Sequence, residues 1–132
     1  MGYIQGVNAV KQAKRRVGAP YVYGAERVKG DDPTLPIDCS ELVQIAFAEV
    51  GLTIVDGSVN QWRECIPCSK ELARNIPGAL CFWRKNSFSS ISHVAISTGQ
   101  GNIIEATPPK VRVASIDDRK WSCFGLPKCI YG

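Results

Sequence analysis

The sequence predicts an α+β domain in which N-terminal helices pack on an antiparallel β-sheet. Three observations carry that expectation. Helical spacing dominates the first half of the chain, strand signals dominate the second, and two of those strands flank a short Gly-containing turn. With 132 residues, 45% hydrophobic and 21% charged, the chain suits one soluble domain built on one core. No repeat, low-complexity tract or linker divides it, so residues 1–132 are read as a single domain.

The elements follow in order. Residues 3–17 set Tyr3, Val7, Val10, Ala13 and Val17 at helical spacing, and Gly18 and Pro20 end the run. Residues 19–37 read as a loop with KGDDPTLP as its clearest turn signal. Residues 39–50 give the strongest helix, with Leu42, Val43, Ala46, Phe47 and Val50 on one face and Gly51 at the stop. Residues 52–78 are mixed, with a short helix near SVNQWREC. Strands are expected in ALCFWRK, in SHVAIST and NIIEAT on either side of GQG, in KVRVASI, and in the closing CFGLPKCIYG.

Charge and composition narrow the function. The net charge of +4 favours anionic partners such as cell-wall polymers only weakly. Lys11, Lys14, Arg15 and Arg16 form the densest basic cluster, which reads as a solvated helix face. Nucleic-acid binding is not expected, because Trp62, Trp83 and Trp121 do not interleave with basic residues in a binding motif. No apolar run approaches the length of about 18 residues that a membrane span needs. The first 20 residues lack the apolar centre of a signal peptide, and position 6 is Gly rather than the Ser or Thr of a myristoylation site. The expected settings are therefore leaderless export, a trimmed form of a longer chain, or the cytoplasm. The six cysteines are read as mostly reduced: if one must stay free, the remaining five cannot all pair.

The chemistry centres on Cys39. It stands between Asp38 and Ser40 at the start of the strongest helix, outside the apolar stripe. Asp38 and Glu41 have capping-box spacing, with Asp in place of Ser or Thr. The unpaired N–H groups and the dipole of a helix start favour a thiolate there. The carboxylates of Asp38 and Glu41 oppose it. A thiolate enzyme needs an acid–base partner, and His93 is the one His in the chain. His93, Ala95 and Ser97 share one strand face, and Ile103, Glu105 and Thr107 share a face of the next. A register centred on Gln100 puts residues 95 and 105 opposite each other and makes Glu105 a diagonal neighbour of His93. A slip of one residue would send Glu105 to the other face. In the favourable register Cys39 attacks a carbonyl, His93 protonates the leaving amine, Glu105 orients the imidazole, and the Cys39 N–H serves the oxyanion.

The segments GAPYVYG, DCSELVQIAFAEVGL, NIPGALCFW and SHVAISTGQGNIIEAT, in that order, resemble the NlpC family of cell-wall cysteine peptidases, which are papain-like in fold. The resemblance implies Cys39 as nucleophile, His93 as base and Glu105 at the third polar position, where many members carry His. It implies that Tyr21 lies near the nucleophile and serves the oxyanion. Asp38 and Ser40 match residues that bind the free amino group of a stem peptide, and Ser92, beside His93, is grouped with them as substrate-binding. The implied substrate is a peptidoglycan stem peptide or muropeptide cut after γ-D-glutamate, with no cofactor, by a monomer. Three departures stand out: Glu41 replaces a usual Gly, Ala79 a usual Asp, and the loop from Tyr21 to Cys39 is long, with KGDDPTLP as the excess that could reshape a cleft wall.

Rival readings remain at this level. Cys65 and Cys68 form a C-x-x-C with Cys81 and His93 downstream, a weak zinc pattern because no second pair follows. A related amidase or acyltransferase, or a non-catalytic wall-peptide binder of the same fold, fits the same residues.

Overall fold

The computed structural model describes residues 2–132. Helix α1 spans Gly2–Lys14, α2 Cys39–Ala48 and α3 Ser58–Arg63. Strand β1 (Cys65–Cys68) and helix α4 (Lys70–Asn75) precede the strands β2 (Leu80–Trp83), β3 (His93–Ser97), β4 (Asn102–Thr107) and β5 (Lys110–Ser115). A 3-10 turn at Ile116–Asp118, strand β6 (Cys123–Pro127) and the short helix α5 (Lys128–Tyr131) complete the chain. The six strands form one antiparallel sheet in the order β1-β6-β2-β3-β4-β5. The α+β arrangement is the expected one.

The α2 helix forms where the pattern places it. Its apolar stripe buries Leu42, Val43, Ala46 and Phe47 completely or nearly so. Each such side chain contributes roughly 1.5–3 kcal/mol on leaving water. They meet Leu80, Phe82, Val94, Ile96, Ile104 and Ala106 from one sheet face, together with Ala9, Val10 and Ala13 of α1. The last turn closes with Leu52 N–H to Phe47 O at 2.9 Å and Gly51 N–H to Ala48 O at 3.0 Å, with Gly51 at φ +81°. That left-handed residue is the Schellman stop the sequence signals.

The opposite sheet face packs Cys81, Ala95, Ile103, Ala114, Ile116 and Trp121 into a second, smaller cluster. The alternation of Leu80 and Phe82 with Cys81, and of Val94 and Ile96 with Ala95, divides each strand between the two clusters. The β3–β4 register pairs Ile96 with Ile104 and Ser97 with Ile103, which centres the hairpin on Gln100. Gly99 at φ +83° makes that turn possible, and a Cβ there would lie 2.6 Å from the Pro77 nitrogen.

Several expectations change. The α1 helix ends at Lys14, and Tyr3 and Val17 are 61% and 44% exposed, so neither lies on its buried stripe. Arg16 is not on a solvated face. It is 3% exposed and pairs with Asp31 at 3.0 Å, pinning the long loop against α1. The mixed region contains β1 and α4, which the periodicity did not reveal. Pro67 lies within β1 and is tolerated because that strand is at the sheet edge. All six cysteines are free thiols. Among the described residues no group of three or more His, Cys, Asp or Glu could hold a metal ion, and no helix is long and apolar enough to cross a membrane.

Candidate active site

Asp38 begins the site. In an extended backbone conformation, it caps α2 by accepting the Glu41 N–H on Oδ1 at 2.9 Å. Its Oδ2 accepts the Gly24 N–H at 3.0 Å, so the same carboxylate ties down the Tyr21–Gly24 segment. Only half of the expected capping box forms. The Glu41 side chain turns away and accepts the Arg27 N–H at 2.9 Å, fastening the loop instead. Burial pushes the Glu41 carboxyl above its ordinary range, and Asp38 and Asp56 nearby add to that.

Cys39 is the first residue of α2. It is half-buried against the main apolar cluster. The helix start alone does not give it a thiolate. Burial pushes its thiol above the ordinary value, and the Asp38 charge pushes the same way. Hydrogen bonds from the N–H groups of Val94, Ser40 and Cys39 itself act in the opposite direction but do not win. The sequence expectation of a thiol lowered by the helix terminus is thus corrected. A thiolate at this position needs an added positive charge.

His93 opens β3 and pairs across to Trp83. Its Nε2 lies 2.6 Å from Glu105 Oε1, the contact that the Gln100-centred register anticipates. The ring stacks on Trp121, with centroids 5.7 Å apart and planes at 14°. With Nε2 on Glu105, Nδ1 is the nitrogen left for chemistry. Ser92, the residue before His93, lines the same cleft as Cys39.

Glu105 is 1% exposed and carries more than the His. Arg112 donates to Oε2 through Nε at 2.9 Å and Nη2 at 2.8 Å, and Arg119 approaches Oε1 at 3.3 Å. Burial works to raise its carboxyl, yet the bonds from His93 and Arg112 hold it below the ordinary glutamate range. A buried carboxylate with cationic partners stays ionised and can hold an imidazolium. Arg119 in turn lies over Trp83 and Trp121, 5.7 and 5.2 Å from their ring centroids.

A cleft of about 510 Å³ opens beside the thiol. It brings together five of the seven sequence-predicted residues, Tyr21, Asp38, Cys39, Ser40 and Ser92, while His93 and Glu105 are not among its lining residues. Burial raises the Tyr21 phenol, with the neighbouring Cys39 and Asp38 adding to it, so it remains a hydrogen-bond donor. Ser40 is buried and Ser92 exposed. The KGDDPTLP segment does not line the cleft. The loop contributes Tyr23 and Gly24 instead.

The sequence missed the Asp56–Asn60 wall of this cleft, for which no motif signals, and it missed Arg112, Arg119 and Trp121 around the His. Arg112 was legible in principle. A two-residue loop at Pro108-Pro109 sets Thr107 against Lys110 and therefore Glu105 against Arg112. Buried Gln61 was also missed. Its Nε2 donates to Ser40 O at 2.9 Å and Val55 O at 3.0 Å, joining α2 to the far wall.

Comparison with known proteins gives the site its relatives. A "Gamma-DL-glutamyl hydrolase" of Bacillus subtilis is 30% identical over 118 residues, covering 87% of this chain and 27% of that protein. A "Probable endopeptidase p60" of Listeria grayi is 33% identical over 113 residues, covering 86% of this chain and 20% of that protein. The chain thus spans between about a fifth and about a quarter of the length of these curated relatives. Among solved structures, the NlpC/p60 domain of the peptidoglycan hydrolase SagA superposes with TM-score 0.75 at 27% identity, covering 92% of this chain and 97% of that one. The peptidoglycan hydrolase RipB of Mycobacterium tuberculosis gives 0.76 at 26%, covering 96% and 66%. The family model described as NlpC/P60 matches residues 18–125, a span that runs from the loop before the Cys39 helix to β6, and with these relatives it shows that the chain belongs to the NlpC/P60 family.

Proposed function

We propose that this chain is a cysteine endopeptidase that hydrolyses peptidoglycan stem peptides at the γ-D-glutamyl–diamino acid bond through a thioester. One observation carries the reading: His93 Nε2 is held by the buried Glu105 at 2.6 Å while Ser92, the residue before His93, lines the same cleft as Cys39. That arrangement leaves Nδ1 for acid–base work next to the thiol cleft.

The steps follow from the residues. A proton moves from Cys39 to His93, and the ion pair offsets the burial that disfavours the thiolate. The sulfur attacks the γ-carbonyl carbon. Charge develops on oxygen, where the Cys39 N–H at the helix start and the Tyr21 hydroxyl can donate. His93 gives its proton to the departing amine as the C–N bond breaks, leaving a γ-glutamyl thioester. Water, deprotonated by His93, attacks the thioester and releases the acid and the thiol. Asp38, Ser40 and Ser92 line the cleft where the amino end of the peptide would lie. Asp38 has one acceptor direction left on each oxygen after its bonds to Glu41 and Gly24, enough for an ammonium group.

The names of the relatives and solved neighbours support the wall-peptide substrate. The test is digestion of defined tri- and tetrapeptide muropeptides under reducing conditions, with product masses. Release of L-Ala-D-Glu by wild type, and a loss of at least about 10⁴-fold in Cys39→Ala, is expected. Products cut at another bond would move the chain to a different acyl chemistry. Equal behaviour of wild type and Cys39→Ala would make it a binder.

A further inference from the structure

A second cleft lies on the other side of His93. It encloses about 610 Å³ and is lined by Trp83, Arg84, Lys85, Asn86, Ser87, Lys120, Trp121 and Ser122. Three of these are cations and none is acidic. The thiol cleft is the reverse: Asp38 and Asp56 line it, and no Lys or Arg does. The ridge between them is the segment that holds the imidazole. Ser92, on the thiol side, donates its N–H to Trp83 O at 2.9 Å, on the basic side. His93 pairs with Trp83 across the sheet and stacks on Trp121. A peptide lying over Cys39 and His93 would therefore run from an acidic trough into a basic one.

The cations of this cleft are exposed, and Trp121 is its buried member. Arg84 N–H donates to Ser122 Oγ at 2.9 Å, which joins its two walls. Trp121 is 7% exposed, and its indole N–H is buried without a hydrogen-bond partner. Arg119, packed over both indoles, also has its Nε buried and unpartnered. Buried donors in a native fold ordinarily find acceptors. Trp121 lines the cleft, and Arg119 packs over its ring.

We propose that this cleft is the leaving-side subsite and that it binds the carboxylate-bearing fragment departing from Cys39. The ligand class is a short peptide with a free carboxylate, its backbone against the Trp83 and Trp121 rings and its carboxylate among Arg84, Lys85 and Lys120. This rests on the endopeptidase reading and adds a direction to it: ammonium end at Asp38 and Asp56, carboxylate end at the three cations. Charge-assisted bonds to a carboxylate give both register and specificity.

The test compares L-Ala-γ-D-Glu-L-Lys-D-Ala with the same tetrapeptide amidated at its C-terminus. Wild type should show kcat/KM about tenfold higher for the free acid, chiefly through KM, and high salt should narrow the gap. Lys85→Glu with Lys120→Glu should abolish that preference, mainly by raising KM for the free acid, while a wild-type thermal melt excludes a folding defect. Binding of both peptides to full-length Cys39→Ala, followed by Trp fluorescence, separates this subsite from the chemistry. Carboxylate-dependent binding without cleavage in wild type would keep the subsite and sink the endopeptidase reading. Equal affinity for acid and amide, or a preference that survives the charge reversals, overturns the subsite.

Discussion

The halves of the candidate site that carry the proposed nucleophile, Cys39, and the proposed base, His93, are held in different ways. Cys39 is positioned through its helix: the Asp38 cap, the Gly24 N–H that holds that cap, and the Gln61 amide on Ser40 O. His93 is positioned by side chains around one buried charge, Glu105, with Arg112, Arg119 and Trp121 as further supports. The first half is a set of neutral or singly charged bonds, each replaceable by water at modest cost. The second is a cluster of charges in which one member satisfies the others. A buried carboxylate with several cationic partners is a concentrated point of failure, whereas a helix cap is a distributed one.

The sharpest way to break this comparison is Glu105→Ala. It removes the partner of one imidazole and two guanidinium groups, and should cost about 3 kcal/mol of stability. Turnover should fall by about 10³–10⁴-fold because the ring loses its orientation and the stabilisation of its charged form. Chemical denaturation and muropeptide kinetics read the two effects. The acid limb adds a check. Because the folded Glu105 carboxyl titrates below its ordinary range, its contribution is fully present above the unfolded glutamate value and is lost as pH falls through the folded one. Wild type should therefore lose stability on acidification more steeply than Glu105→Gln. Parallel curves would remove Glu105 from the centre of the base half.

His93→Ala tests the link between the halves. Burial and Asp38 raise the Cys39 thiol, so without the imidazole it should be alkylated by iodoacetamide only at higher pH. We expect the midpoint at Cys39, followed by peptide mass mapping, to move up by at least about one unit, equivalent to roughly 1.4 kcal/mol. An unmoved midpoint would mean that the imidazole does not stabilise the thiolate.

Asp38→Ala should cost less than Glu105→Ala, about 1–2 kcal/mol, since it removes a helix cap and one loop anchor and leaves no buried charge unpaired. A thermal melt that placed it level with Glu105→Ala would erase the distinction. The smallest effect is expected for Arg112→Ala. Its side chain is 45% exposed, so although it bonds Glu105 in the same cluster, water can replace much of what it supplies. We expect under about 1 kcal/mol and only a slight change in rate.

How legible these halves were differs as well. The α2 helix, its Asp38 cap, the Gly51 stop and the His93–Glu105 contact were all readable, because each depends on residues close in sequence. The last needed only the period-2 alternation and a short turn. What filled the surroundings was not readable. Arg119 and Trp121 come from an irregular segment after β5, and no periodicity says where such a chain will fold back. Strand β1 escaped because Pro67 argues against a central strand and only its edge position excuses it. The upward push on the Cys39 thiol was not readable, because a helix start is visible in sequence and burial is not.

By itself, then, the sequence determined the α+β layout, the helix that presents Cys39 and the hairpin register that sets Glu105 under His93. These are short-range consequences of hydrophobic spacing, capping chemistry and turn residues. Only the tertiary structure decided how deeply the thiol is buried, which cations share Glu105, and how acidic and basic walls fall on opposite sides of the imidazole. Those are properties of desolvation and of distances between segments far apart in the chain, and no local pattern encodes them.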